Sequence, residues 1–74
     1  MGKRFFVLCR ENAAESAIQE LTSRGCVMVS EPRKLSRRRG TLSFVVRSPF
    51  ERSDWIKTVD GVEVVREDYQ FSPF

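Results

Sequence analysis

Two adjoining segments with different hydrophobic periods limit the fold of this chain more than any other feature. Residues 3–10 (KRFFVLCR) are apolar at both parities, with Phe5, Val7 and Cys9 alternating with Phe6 and Leu8. That pattern predicts a strand buried on both faces. From Asn12 the period becomes helical: Ala14, Ala17, Ile18 and Leu21 fall at i, i+3, i+4 and i+7 and form one apolar stripe. Asn12 is a suitable N-cap with Glu15 three residues on, the spacing of a capping box. Gly25 is placed to end the helix as a left-handed C′ residue.

The rest of the chain supplies three more strands and a second helix. Residues 26–30 (CVMVS) read as a strand, followed by a polar connection over 31–40 punctuated by Pro32 and Gly40. Residues 41–47 alternate, with Leu42, Phe44 and Val46 facing one way and Thr41, Ser43 and Val45 the other. Ser48, Pro49 and Glu51 have the spacing of an N-cap, a first-turn proline and a capping-box acid. They predict a short helix that packs Trp55, Ile56 and Val59 inward. Asp60 and Gly61 then turn the chain into a last strand over 62–66 or slightly beyond.

The order is βαββαβ. Right-handed crossovers place both helices on one face of a four-stranded antiparallel sheet, the split βαβ or ferredoxin-like arrangement of the α+β class. At 74 residues the chain is expected to form a single domain over 1–74, with 67–74 as an extended C-terminal tail. The first and second strands then run parallel with the third between them. Cys9 and Cys26 fall at opposite ends of the sheet, beyond the roughly 7 Å that a disulfide can bridge. Two free thiols are expected.

Composition removes several classes of function. Histidine is absent, so there is no Ser-His or Cys-His nucleophile pair and no imidazole base. Two cysteines without histidine do not make a zinc site within one chain. Neither an enzyme nor a bound cofactor is expected. The apolar run over 5–9 is too short for a signal-peptide core or a membrane span. The expected location is cytoplasmic for a free-standing protein, or secreted if the chain is cut from a longer precursor. A monomer is expected.

Charge is unevenly spread. The net charge is +3, yet Arg33, Lys34, Arg37, Arg38 and Arg39 alone contribute +5, leaving 3 − 5 = −2 elsewhere. Arginine forks bind phosphates bidentately, so this segment offers a nucleic-acid-binding or regulatory reading. Residues 39–45 resemble the RNP1 motif of RNA-binding sheets only in their first two positions, and the stacking aromatics are missing. An acylphosphatase-like enzyme would use a phosphate loop near Arg10 and a water-positioning Asn, but the lone Asn12 is better used as a cap. At the other extreme, Gln70, Phe71, Ser72, Pro73 and Phe74 hold no charge except the terminal carboxylate. Pro73 favours an extended course, and an extended peptide can lie in a partner's groove.

The chain also resembles the inhibitor I9 family, the propeptides of subtilisin-type serine proteases and their free-standing inhibitor relatives. The likeness rests on Gly40 before Thr41, Leu42, Ser43 and Phe44, and on the run from Ile56 to Val59. It continues through Asp60, Gly61, Val62, Glu63, Val64 and Val65 to the acidic pair Glu67 and Asp68 with Tyr69. The resemblance implies a protease inhibitor, with an intramolecular chaperone role if the chain is a propeptide. By the same resemblance the sheet packs on paired surface helices of the protease and the tail enters the active-site cleft from the non-primed side. Phe74 would fill the primary specificity pocket and Phe71 the pocket three residues upstream. Glu67 and Asp68 would lie near helix N-termini, where anions are stabilised.

Overall fold

The strand β1 (Lys3–Arg10) is the middle of the molecule in a computed structural model that describes residues 2–50, 52 and 54–67. It pairs antiparallel with β4 (Thr41–Ser48) on one side and with β5 (Val62–Glu67) on the other. The outer edge of β4 is taken by two short strands, β2 (Val27–Met28) and β3 (Arg33–Lys34). The protein is therefore α+β, with one antiparallel sheet of five strands in the order β2-β4-β1-β5, β3 pairing with β4 as well. The described residues contain one α-helix, α1 (Ala14–Ser23), rather than the two expected.

Each departure from the expected pattern has a local cause. The expected second strand over 26–30 is cut short because four residues, 29–32, face only two of β4. Pro32 has no N–H to give to the ladder, and the Ser30 Oγ accepts the Val45 N–H at 3.0 Å in place of a backbone carbonyl. Pairing resumes at Arg33, which splits one lane into β2 and β3. The expected capping box at Asn12 does not form. A 3-10 turn (Glu11–Ala13) follows β1 directly, held by Arg10 N–H to Gly61 O at 2.9 Å and Glu11 N–H to Gly40 O at 2.7 Å. Asn12 is thus inside a helical turn, where it cannot take the extended N-cap conformation, and Ala13 precedes α1 without a side-chain cap.

The second helix is reduced to a 3-10 turn, Ile56–Thr58. Ser48, expected as its N-cap, is the last residue of β4, and its Oγ accepts the Phe50 N–H at 3.1 Å in a tight turn. Beyond it Asp54, Thr58 and Val59 are weak helix formers. Trp55 is half-buried at the rim of the core rather than within it. Phe50 meets its ring edge-on at 6.0 Å, and the Arg24 guanidinium lies 5.5 Å from its centroid.

The core lies between α1 and one face of the sheet. Phe5, Val7 and Cys9 of β1 and Phe44 and Val46 of β4 are buried against Ala14, Ala17 and Leu21 of the helix, with Ile56 and Val59 closing one side. The stripe read from the sequence therefore packs as expected, with Ile18 partly buried beside it. Helix α1 ends at Gly25 (φ +101°) in a Schellman motif. Its two bonds run from Cys26 N–H to Leu21 O at 3.0 Å and from Gly25 N–H to Thr22 O at 3.1 Å.

Gly61 is more tightly constrained. Its φ is +94°, and a Cβ there would overlap the Ala13 Cβ and press on the Cys9 Sγ at 3.4 Å. The turn into β5 therefore depends on a residue with no side chain. Gly61→Ala should cost about 3 kcal/mol by urea denaturation, from a left-handed backbone penalty of about 1–2 kcal/mol plus the steric overlap. Gly25→Ala, with only the Pro49 Cγ nearby at 3.2 Å, should lose about half as much.

Candidate protein-binding surface

Glu67 and the basic segment, both singled out by sequence, lie at opposite ends of the sheet. Glu67, the first of the expected docking acids, is the last residue of β5 and sits opposite Phe5 near the start of β1. Its carboxylate pairs with Lys3 Nζ at 2.9 Å on the surface, a contact worth under about 1 kcal/mol. Asp68, Tyr69, Gln70, Phe71, Ser72, Pro73 and Phe74 lie outside the described residues. The basic segment lies near the far end of β1, where Arg10 faces Thr41. Arg33 and Lys34 form β3, and Lys34 Nζ approaches the Glu11 carboxylate at 3.7 Å. Arg37, Arg38 and Arg39 are exposed in the connection to β4. From Phe5 to Arg10 is about 17 Å at the usual rise per strand residue. Glu67 and the basic segment therefore do not form one site.

The structure also reveals a surface that the sequence reading missed. Among the described residues, helix α1 and residues 54–61 cover only one face of the sheet, so the other side of β1 is left half-buried. Phe6 and Leu8 of β1, Val45 of β4 and Val64 of β5 are half-buried on the uncovered face. They are neighbours by register: Phe6 faces Val45, and Leu8 faces Val64. Val27 and Val29 extend the patch to the β2 edge at 60% and 38% exposure.

Arginines surround this apolar centre. Strand alternation places Arg4, Arg10, Arg33, Arg47 and Arg66 on the uncovered face. Arg4 lies directly opposite Arg47, and Arg66 is opposite Phe6. Among the described residues, Arg33, Arg47 and Arg66 form no ion pair. Among the described residues, the carboxylate that joins them is Glu63, the extra residue of a bulge where Leu8 pairs with Val64 and Cys9 with Val62. It accepts the Thr41 Oγ1 hydrogen at 3.2 Å, near the Arg10 end. The signal for this surface was present in sequence. Apolar residues at both parities of β1 conflict with helices on one face only.

The cysteines contribute no reactive group. Cys9 pairs with Leu42, and Cys26 precedes Val27, which pairs with Arg47, so Cys26 is level with Ser48; the two cysteines are six residues apart along β4, about 20 Å. Both are buried free thiols. Burial pushes both thiol pKa values up from the ordinary 9.0, slightly offset at Cys9 by Arg10 and at Cys26 by a hydrogen bond with Ser48. Among the described residues no group of three His, Cys, Asp or Glu side chains could hold a metal ion. No helix among them is long and apolar enough to cross a membrane. Comparison with family models, curated proteins and solved structures found no match. The surface is therefore read from its own residues.

Two measurements check this description. Arg47→Glu should raise stability by about 0.5 kcal/mol in urea by converting a like-charge pair into an opposite one. The buried thiols should make stability fall at alkaline pH. A thiol whose folded pKa lies above its unfolded value keeps its full contribution below pH 9.0 and loses it as pH rises further. Urea midpoints taken from pH 7 to 11 should therefore decline above 9, and the decline should shrink in the Cys9→Ala, Cys26→Ala double variant.

Proposed function

We propose that this chain is a non-catalytic binding module of ferredoxin-like type that inhibits a subtilisin-like serine protease. Gln70, Phe71, Ser72, Pro73 and Phe74 occupy the active-site cleft as a substrate would, with Phe74 in the primary pocket and Phe71 three residues upstream. The sheet is the rigid base, and affinity comes from preorganisation rather than chemistry. If the chain is excised from a protease precursor, the same contacts serve a chaperone role.

The observation that carries this reading is the position of β5. It is an edge strand that continues to Glu67, beside the start of β1, so the sheet fixes where the last seven residues begin. The resemblance over Ile56 to Tyr69 supplies the partner class. The uncovered apolar face gives the sheet a surface to set against protease helices.

A second reading has one observation in its favour: Arg37, Arg38 and Arg39 are all exposed and, among the described residues, form no ion pair. Together with Arg33 and Lys34 they offer phosphate contacts to a nucleic acid. Deletion and neutralisation separate the two readings because they remove different residues, and β5 ends at Glu67, far along the sheet from β3. Deleting Phe71 to Phe74 should abolish inhibition in a titration against a subtilisin-type protease, while replacing Arg37, Arg38 and Arg39 with Ala should leave inhibition within about twofold. An intact chain that fails to inhibit at micromolar concentration, but binds an oligonucleotide in a salt-dependent way, would support the second reading instead.

A further inference from the structure

Two adjoining clefts open at the Arg10 end of the sheet. The smaller, about 240 Å³, is lined by Lys34, Arg38, Arg39 and Thr41. The larger, about 560 Å³, is lined by Arg10 and Asn12, and Glu11 and Gly40 line both. Together they fall within the roughly 300–1,000 Å³ of small-molecule sites. We infer that the two clefts form one site for a sugar phosphomonoester, with its phosphate against Lys34, Arg38 and Arg39 and its sugar hydroxyls against Glu11 and Asn12. This rests on neither functional reading above and needs only the clefts.

The backbone prepares the smaller cleft. Thr41 N–H meets Arg38 O at 3.4 Å, with Gly40 at φ +78° in the third position, as a type II turn requires. Glu11 N–H binds Gly40 O at 2.7 Å and fixes this turn against the end of β1. The Arg39 and Gly40 N–H groups are left without an acceptor among the described residues. A Cβ on Gly40 would meet nothing within 4 Å, so the backbone is open where the clefts join. Arg38 and Arg39 form no ion pair among the described residues. A phosphomonoester brings a charge of about −1.5 to −2 and three strong acceptor oxygens, which arginine forks and free N–H groups can meet together.

Glu11 decides what the phosphate is attached to. Among the described residues it is the one acid on the walls of either cleft. Its ion pair with Lys34 spans 3.7 Å, longer than an ordinary hydrogen bond, so its oxygens can accept from other donors. A carboxylate in that position suits the hydroxyls of a ribose-like sugar. Asn12 is exposed, and its amide has no hydrogen-bond partner among the described residues, so it adds a donor and an acceptor beside Glu11. Two other anions fit less well. A nucleic-acid strand running through both clefts would carry its next phosphate past the Glu11 carboxylate, a like-charge contact. Inorganic phosphate would leave the larger cleft and Glu11 unused.

The test follows amide shifts of the full chain by two-dimensional NMR. The probes are AMP, ribose phosphate, inorganic phosphate, a short oligoadenylate and a dideoxy analogue of AMP that lacks both ribose hydroxyls. AMP and ribose phosphate should shift Glu11, Asn12, Arg39, Gly40 and Thr41. They should bind at least about tenfold more tightly than inorganic phosphate, and AMP should exceed its dideoxy analogue by a similar factor. Equal affinity of the two would support a sugar phosphate as the ligand, and tighter binding of AMP would support a nucleotide. The Arg38→Ala, Arg39→Ala variant should bind AMP at least about tenfold more weakly. Glu11→Gln has an effect that a merely cationic surface would not show. It should cut the preference for AMP over the dideoxy analogue to within about twofold, while inorganic phosphate binds no more weakly than before. All three substitutions are at exposed positions, and an unchanged amide spectrum elsewhere verifies the fold. Inorganic phosphate binding as tightly as the sugar phosphates would overturn the inference, and so would a Glu11→Gln variant that keeps the preference or an absence of shifts. Oligoadenylate binding more tightly per phosphate at the same amides would also overturn it, in favour of the nucleic-acid reading.

Discussion

The architecture depends on a shortage of cover. One ten-residue helix and a short 3-10 turn shield one face of a sheet built around β1, and the other described residues lay no helix on the second. The inner face receives the residues that fold the protein. Phe5, Val7, Phe44, Val46, Leu21 and Ile56 are all essentially excluded from solvent. Each such side chain contributes roughly 1.5–3 kcal/mol relative to exposure. The outer face carries apolar residues whose burial is left incomplete. In a domain of this size, which buries only about 60% of its unfolded surface, that is a substantial amount of unused driving force.

Charge follows the same division. The arginines of β1, β4 and β5 that do not face the core all lie on the open side, whereas Glu15 and Glu20 lie on the exposed part of α1. This segregation is hidden in the net charge, because the basic segment from Arg33 to Arg39 and the acids elsewhere partly cancel. Glu67 at the end of β5 and the basic segment lie near opposite ends of the sheet, and the arginine-bearing face lies between them. A partner that engages the tail can extend over the face without meeting Arg37, Arg38 and Arg39.

Much of the fold was legible in sequence because local signals agreed with the tertiary outcome. The stripe Ala14, Ala17, Ile18 and Leu21 fixed the buried side of α1, Gly25 fixed its end, and the alternation over 41–47 fixed which side of β4 is inside. The misreadings share one cause: local spacing cannot report what the neighbouring chain imposes. Asn12 and Glu15 have capping-box spacing, but the backbone ties from Arg10 to Gly61 and from Glu11 to Gly40 tighten the turn at Asn12. Ser48 and Pro49 have the pattern of a helix start, yet Ser48 belongs to the end of β4. The candidate surface was less legible. Phe6 and Leu8 looked like core because the sequence shows that a residue is apolar but not whether anything covers it. Arg47 and Arg66 carry no signal of their own in sequence; only the register brings them to one face.

The central claim is that this chain works as a binding module, with its open sheet face and its tail engaging one partner. Cross-saturation NMR of the labelled chain bound to an active-site-blocked subtilisin-type protease tests it most directly. The account predicts saturation transfer to Phe6, Leu8, Val64 and Arg66 together with the residues after Glu67, and little at Arg37, Arg38 and Arg39. Transfer confined to the basic segment, or no complex at all, would contradict it.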